Sequence, residues 1–122
     1  MTKGEFLSKE DILCKDDLKY EIVDCPEWGG KVRLKTMTGL ERDNFESSLF
    51  EGKTGSEKMN YKNLRAKLLA LCIVDEEGKR LFVDREVDAL GNKSAKVLDK
   101  LYDVARKLNA IGEKEVEELT KN

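Results

Sequence analysis

The chain has 122 residues, 39% of them hydrophobic and 39% charged, with a formal net charge of −2. This length predicts one domain spanning residues 1–122, and the balance of charge and apolar content excludes collagen-like, proline-rich and disordered classes. The sequence contains no histidine, which excludes imidazole-based triads and metal ligands.

The first element predicted is a short helix. Ser8 is placed to cap it, because its hydroxyl can accept a hydrogen bond from an early backbone N–H. Leu7 and Ile12 occupy the two positions of a hydrophobic staple. We expect the helix to end near Cys14 or Lys15.

A β-hairpin is predicted next. In the segment 18–23 apolar and charged residues alternate through Ile22, and the pattern repeats over residues 31–37, which is typical of strands with one solvated face. Between them lie Pro26, which cannot donate to a strand ladder, and Gly29–Gly30, which tolerate positive φ. These residues therefore predict the hairpin loop.

The middle of the chain predicts helices. Thr38 and Glu41 form a capping box for a helix reaching about Phe50. Residues 51–60 lack periodicity and predict a mobile loop. The apolar segment 61–74 predicts a central helix. An extended piece over residues 80–83 and a brief helix capped by Asp84 and ending at Gly91 follow.

The C-terminal part predicts the longest amphipathic helix, over residues 94–109, ended by Gly112 in a left-handed conformation. A last short helix over residues 113–119 carries Val116 and Leu119 on one face. The predicted fold class is α+β and mostly helical, with a small antiparallel β-hairpin packed with about five helices in a single domain.

The sequence contains only incomplete matches to motifs for catalysis or for ligand and metal binding. Gly52, Lys53 and Thr54 look like the end of a phosphate-binding loop, but Ser47 stands where that motif requires glycine. The three cysteines, Cys14, Cys25 and Cys72, have no metal-binding spacing and no histidine to complete a site. We therefore expect no catalytic residue, no cofactor and no metal, and hence no enzyme.

Lysines on the long predicted helix suggest one alternative function. Lys93, Lys96, Lys100 and Lys107 make a partial basic stripe of the kind that a small DNA-binding regulator uses. Asp103 interrupts the stripe and the whole chain is slightly acidic, which is more typical of the solvated side of a helix. We expect no nucleic-acid partner and no membrane association.

Four side chains are candidate partner contacts: Trp28, Tyr61, Val116 and Leu119. Trp28 is the only tryptophan and lies in the predicted hairpin loop, which leaves two interpretations open. Either the indole folds over one end of the core, or it is exposed as an aromatic anchor of the kind enriched at interface centres. Tyr61 follows the predicted loop, and the other two share a helix face.

The order of the segments resembles the tail assembly chaperones of long-tailed bacteriophages and of the prophages derived from them. The resemblance covers most of the chain and depends on an ordered combination of short motifs. Those motifs are Leu7-Ser8-Lys9-Glu10-Asp11-Ile12-Leu13, Pro26-Glu27-Trp28-Gly29-Gly30, Val32-Arg33-Leu34, Thr38-Gly39-Leu40-Glu41-Arg42-Asp43, residues 63–72, Leu81-Phe82, Asp88-Ala89-Leu90-Gly91, Lys93-Ser94-Ala95 and Leu108-Asn109.

The resemblance implies a non-enzymatic assembly factor. Such chaperones bind the helical tape-measure protein and recruit tail-tube subunits, which polymerise around it. It further implies a frameshifted longer form of the chain, self-association into a homo-oligomer, and action in the bacterial cytoplasm with absence from the mature virion. The alternatives are a structural tail or neck subunit retained in the virion, and the DNA-binding regulator.

Overall fold

The computed structural model describes residues 5–50 and 61–111 of the chain. Its fold is α+β, as the sequence predicts, with helices packed on an antiparallel sheet. In chain order the elements are α1 (Lys9–Leu13), β1 (Tyr20–Cys25), a 3-10 turn (Pro26–Trp28), β2 (Gly30–Lys35), α2 (Gly39–Ser48), α3 (Leu64–Cys72), β3 (Ile73–Val74), a 3-10 turn (Asp84–Glu86), α4 (Val87–Gly91) and α5 (Ala95–Leu108).

Two of the three predicted N-terminal caps, Ser8 and Thr38, are confirmed. Ser8 Oγ accepts from the Asp11 N–H at 3.1 Å, and the Ser8 N–H donates to the Asp11 carboxylate at 2.9 Å. Thr38 and Glu41 make the same reciprocal pair at 3.1 and 2.9 Å. Each pair satisfies two backbone donors that a helix start leaves open, which fixes where α1 and α2 begin.

The predicted hairpin forms and gains a third strand. β1 pairs antiparallel with β2 from Tyr20↔Lys35 to Cys25↔Gly30, and β2 pairs with β3 through Leu34↔Ile73. Side chains alternate across the sheet, so Cys25 and Leu34 point to the face that α5 covers, which we call the inner face. The opposite, outer face carries Tyr20 and Ile22.

The prediction of one helix over residues 61–74 is wrong at both ends. α3 begins at Leu64, after Asn63 in a left-handed conformation with φ of 59°. It ends at Cys72, because Ile73 and Val74 pair with β2 as the third strand. Apolar runs of this length suit a buried helix or a buried strand, and here one run supplies both.

The brief helix near residue 84 is capped differently from the prediction. Asp84 lies inside the 3-10 turn, one residue later than a cap, and its carboxylate accepts from Arg80 at 3.0 Å. The Val83 N–H donates to the Glu86 carboxylate at 2.9 Å, which satisfies the donor at the start of the turn. The helix itself ends at Gly91, as predicted.

The left-handed residue after α5 is Ala110, with φ of 58°. The Ile111 N–H donates to the Arg106 carbonyl at 2.8 Å and the Ala110 N–H to the Lys107 carbonyl at 3.0 Å, which is a Schellman motif. The prediction that Gly112 ends the helix is therefore wrong in position. Gly112, the predicted loop over residues 51–60 and the predicted helix over residues 113–119 lie outside the described residues.

The core lies between the inner face of the sheet and the helices. α5 packs on β1 and β2, and α3 packs on α5, α4 and α2. The Asn109 side chain ties the end of α5 to α3 and to the segment between β2 and α2. Its Oδ1 accepts from the Met37 N–H at 2.6 Å, and its Nδ2 donates to the Cys72 sulfur at 3.5 Å. The largest fully buried side chains are Leu34, Leu49, Leu68, Leu69, Leu101, Cys25 and Cys72.

Candidate functional site

Trp28 lies at the tip of the hairpin, on the 3-10 turn that Pro26 begins. Gly29 follows in a left-handed conformation, with φ of 83°, and returns the chain into β2. The indole is half-buried against the core and borders a groove of about 290 Å³. Phe82, Ala89, Leu90 and Lys93 line the rest of this groove. Trp28 thus covers part of the core and also leaves one edge accessible.

The hairpin tip is held on α5 by Lys100. The Lys100 ammonium donates to the Asp24 carbonyl at 3.2 Å and to the Glu27 carboxylate at 2.9 Å. The hydrogen bond to Glu27 raises the pKa of Lys100, and the same bond lowers the pKa of Glu27, so both groups stay charged at neutral pH. This exposed ion pair orients the turn that carries Trp28, although such pairs stabilise a fold only slightly.

Tyr61 lies three residues before α3 and borders a smaller groove of about 160 Å³. Lys93 lines this groove as well as the Trp28 groove, so the two predicted aromatic contacts lie on neighbouring surfaces near the start of α5. The Lys93 ammonium is 6.0 Å from the centre of a Trp28 ring, at the outer limit of a cation–π contact. Val116 and Leu119, the other two predicted contacts, lie outside the described residues.

The outer face of the sheet carries a groove that sequence reasoning missed. We call it the outer-face groove; its volume is about 1290 Å³. It is lined by Tyr20, Glu21, Ile22, Lys31, Arg33, Val74, Asp75, Glu76, Glu77 and Leu81. The alternation of Tyr20 and Ile22 along β1 was the available signal, but alternation does not say which face of a strand the helices will cover.

Arg33 organises the outer-face groove. Its guanidinium lies over the Tyr20 ring, 4.3 Å from the ring centre, and donates to the Glu76 carbonyl. The turn beside it is fixed by Asp75, whose carboxylate accepts from the Glu77 and Lys79 N–H groups at 2.8 and 3.0 Å. Those backbone hydrogen bonds, the Lys79 one above all, lower the pKa of Asp75 and keep it ionised.

A further apolar surface lies on the N-terminal segment. α1 has no buried residue, and Phe6, Leu7, Ile12 and Leu13 are all exposed. The predicted staple positions, Leu7 and Ile12, border a shallow groove of about 480 Å³ on this segment. A helix this short gains little stability from its own hydrogen bonds, so its cap and nearby contacts hold it.

The thiols show no reactive environment. Cys25 and Cys72 are buried and Cys14 is exposed, and none forms a disulfide. Burial raises the pKa of Cys72 to about 12, so its thiolate is scarce at neutral pH. Within residues 5–50 and 61–111 no three potential ligands converge to hold a metal ion.

The lysines of α5 do not form a free basic stripe. Lys100 pairs with Glu27, and Lys107 pairs with Asp103 at 3.1 Å. These contacts neutralise half of the stripe that would suit nucleic acid. Across the described part of the chain, no helix is long and apolar enough to cross a bilayer.

A comparison with solved structures finds the tail assembly chaperone of bacteriophage HK97. It matches with a TM-score of 0.57 and 19% sequence identity, over 75% of this chain and 85% of that one. No protein-family model matches the sequence, and no curated protein matches it at a significant level. At this level of identity the likeness shows the fold alone. The described residues therefore share their fold with the HK97 tail assembly chaperone.

Proposed function

We propose that this protein is a phage or prophage tail assembly chaperone that acts by reversible protein–protein binding and makes or breaks no covalent bond. The fold shared with the HK97 tail assembly chaperone is the observation that carries this proposal. The ordered motifs of the sequence resemble the same class of protein. The scarcity of reactive groups among the described residues, with Cys72 held as a thiol by burial, also favours binding over catalysis.

The surfaces of the molecule suit such a role. A chaperone for long amphipathic helices has to cover apolar stripes that would otherwise aggregate. The described residues offer three apolar grooves with charged rims, namely those at Trp28, at α1 and on the outer face of the sheet. Grooves that are apolar at the centre and charged at the rim are typical of soluble, reversible interfaces.

The proposed partners are the tape-measure protein, tail-tube subunits and a frameshifted longer form of the same chain. We also propose that the chain self-associates and works in the bacterial cytoplasm, without becoming part of the mature virion. The resemblance of the sequence motifs supports this set of partners.

Co-expression with the tape-measure protein of the same gene cluster tests the proposal. We expect the tape measure to be soluble and to co-purify only when this chain is present. An unrelated small acidic protein expressed in its place is the control. If the tape measure stays insoluble, or does not co-purify, the proposed function is wrong.

Mass spectrometry of purified virions separates the chaperone from a structural subunit. The chaperone role predicts that this chain is missing from finished particles. A stoichiometric amount of the chain in the particle would instead identify a tail or neck protein. Trp28 can be followed in the complex with the co-expressed tape measure, because a fluorinated tryptophan gives one resonance from the single indole. No shift of that resonance on partner binding would remove Trp28 from the interface.

A further inference from the structure

The outer-face groove has the shape to hold a helix. β1 and β3 flank β2, so they lie about 9–10 Å apart, which is close to the ~10 Å diameter of an α-helix. Its floor carries apolar side chains that the described fold leaves open, with Ile22 62% exposed and Leu81 54% exposed. Along β1 the groove is lined by Tyr20, Glu21 and Ile22, a length of roughly 10 Å that about two turns of an α-helix would cover.

The rim of the groove selects the charge of the occupant. Asp75, Glu76 and Glu77 line the groove against Lys31 and Arg33, giving it a net negative charge. Glu21 also borders the groove, but it pairs with Leu34, so its side chain belongs to the inner face. Arg33 is already engaged by Tyr20 and by the Glu76 carbonyl, and Lys31 lies 3.9 Å from the Asp24 carboxylate. Within the described ranges, neither Glu76 nor Glu77 forms an ion pair, so both carboxylates remain open to an incoming cation.

We infer that the outer-face groove binds an amphipathic helix of the tape-measure protein whose apolar stripe is flanked by Lys or Arg. The apolar stripe packs on Ile22, Leu81 and the Tyr20 ring, and the flanking cations pair with Glu76 and Glu77. The assignment to the tape measure rests on the proposed function, whereas the groove's shape and charge do not. A helix with acidic flanks would place like charges together, which is destabilising.

A peptide titration tests the groove without the tape measure. The probe is a synthetic helical peptide of about 14 residues, with leucines at i, i+3, i+4 and i+7 and lysines beside them. It is added to the full-length isotope-labelled chain, and the shifted resonances are mapped. We expect shifts at Ile22, Val74 and Leu81, and affinity at least about tenfold weaker for the same peptide with glutamates in place of the lysines.

Matched variants locate the binding site. Ile22→Glu and Leu81→Glu place a carboxylate on the groove floor, and each should weaken peptide binding at least about tenfold. Leu40→Glu makes the same chemical change at a side chain that is 71% exposed on α2 and outside the groove, so it should bind as the wild type does. Thermal unfolding of each variant checks that the fold is retained. A second pair, Ile22→Ser and Leu40→Ser, replaces any glutamate variant that does not fold.

The outcomes separate the groove from the proposed function. Shifts elsewhere on the protein, equal affinity for the acidic peptide, or unchanged binding by the Ile22 variants would overturn the groove assignment. Co-purification then tests the occupant. A tape measure retained equally by wild type and Ile22→Glu would leave the chaperone function standing and remove this site. A tape measure not retained by the wild type would remove the function and the named occupant, while the titration still decides whether the groove takes a basic helix.

Discussion

The two faces of the small sheet are built from the same strands and have opposite surroundings. On the inner face Cys25 and Leu34 are fully buried against the helices. On the outer face Ile22 is 62% exposed, although it is as apolar as its buried neighbours. Hydrophobicity alone therefore does not place a strand residue in the core. A strand residue is buried when helices cover its face of the sheet, and the uncovered face remains a surface that can bind another molecule.

The outer face is itself divided into two parts. Near α2 it is covered, because Lys35 is only 4% exposed and pairs with the Glu41 carboxylate and the Thr36 carbonyl. Further along, toward Ile22 and Leu81, it is open. Substitutions at four positions should therefore change the free energy of unfolding by different amounts.

The largest effect is expected on the inner face. Leu34→Ala removes a fully buried side chain and leaves a cavity between the sheet and α5, so the free energy of unfolding should fall by about 3 kcal/mol. Chemical denaturation at neutral pH measures this change. A loss below about 1 kcal/mol would mean that the inner face is not the packed core described here.

The second-largest loss of stability is expected at the covered end of the outer face. Glu41→Gln removes the negative charge from the partner of buried Lys35 and should cost about 2 kcal/mol at pH 7. Partial burial raises the pKa of Glu41, but hydrogen bonds from Lys35 and the Thr38 N–H outweigh it, so the pKa lies below its usual range.

The same pair gives a pH dependence with a defined sign. Because the pKa of Glu41 is lower in the folded protein than in the unfolded chain, its stabilisation is complete above the unfolded pKa and is lost as the pH falls through the folded pKa. The difference between wild type and Glu41→Gln should therefore be full above roughly pH 5 and shrink as the pH falls through the lowered folded pKa. A difference that persists in acid would show that the charge of Glu41 is not its cause.

A smaller effect is expected in the open part of the outer face. Arg33→Ala removes the guanidinium that lies over Tyr20 and donates to the Glu76 carbonyl, which should cost about 1 kcal/mol. Thermal unfolding measures the loss, and Lys31→Ala, an exposed neighbour on the same strand, is the control. Equal losses for the two variants would show that Arg33 has no special structural role.

The smallest change in stability is expected for Ile22→Ala, and it gives the most direct comparison of the outer face with the inner face. Ile22→Ala shortens an exposed apolar side chain and should change the free energy of unfolding by no more than about 0.5 kcal/mol. Set against Leu34→Ala, it isolates the effect of the covering helices on two apolar residues of paired strands. A loss as large as that of Leu34→Ala would mean that Ile22 is buried in solution, for example by another molecule.

The candidate surfaces were only partly open to sequence reasoning. Trp28 stood out because it lies in a predicted loop and Tyr61 because it follows one. The Trp28 groove is completed by α4 and Lys93, and the Tyr61 groove by α3, Gly91 and the start of α5. The outer-face groove gave no local signal. Its members come from β1, β2, β3 and the segment after β3, and they meet only because three strands pair.

Sequence alone determined the elements whose causes are local. The reciprocal bonds of Ser8 with Asp11 and of Thr38 with Glu41 span three residues, and the hairpin turn needs only a proline and a glycine that accepts positive φ. Tertiary structure decided everything that depends on distant partners. Pairing with β2 places Ile73 and Val74 in the sheet and not in the predicted helix. Packing of α5 on the sheet determines which face of β1 stays exposed. Both depend on residues far apart in the chain.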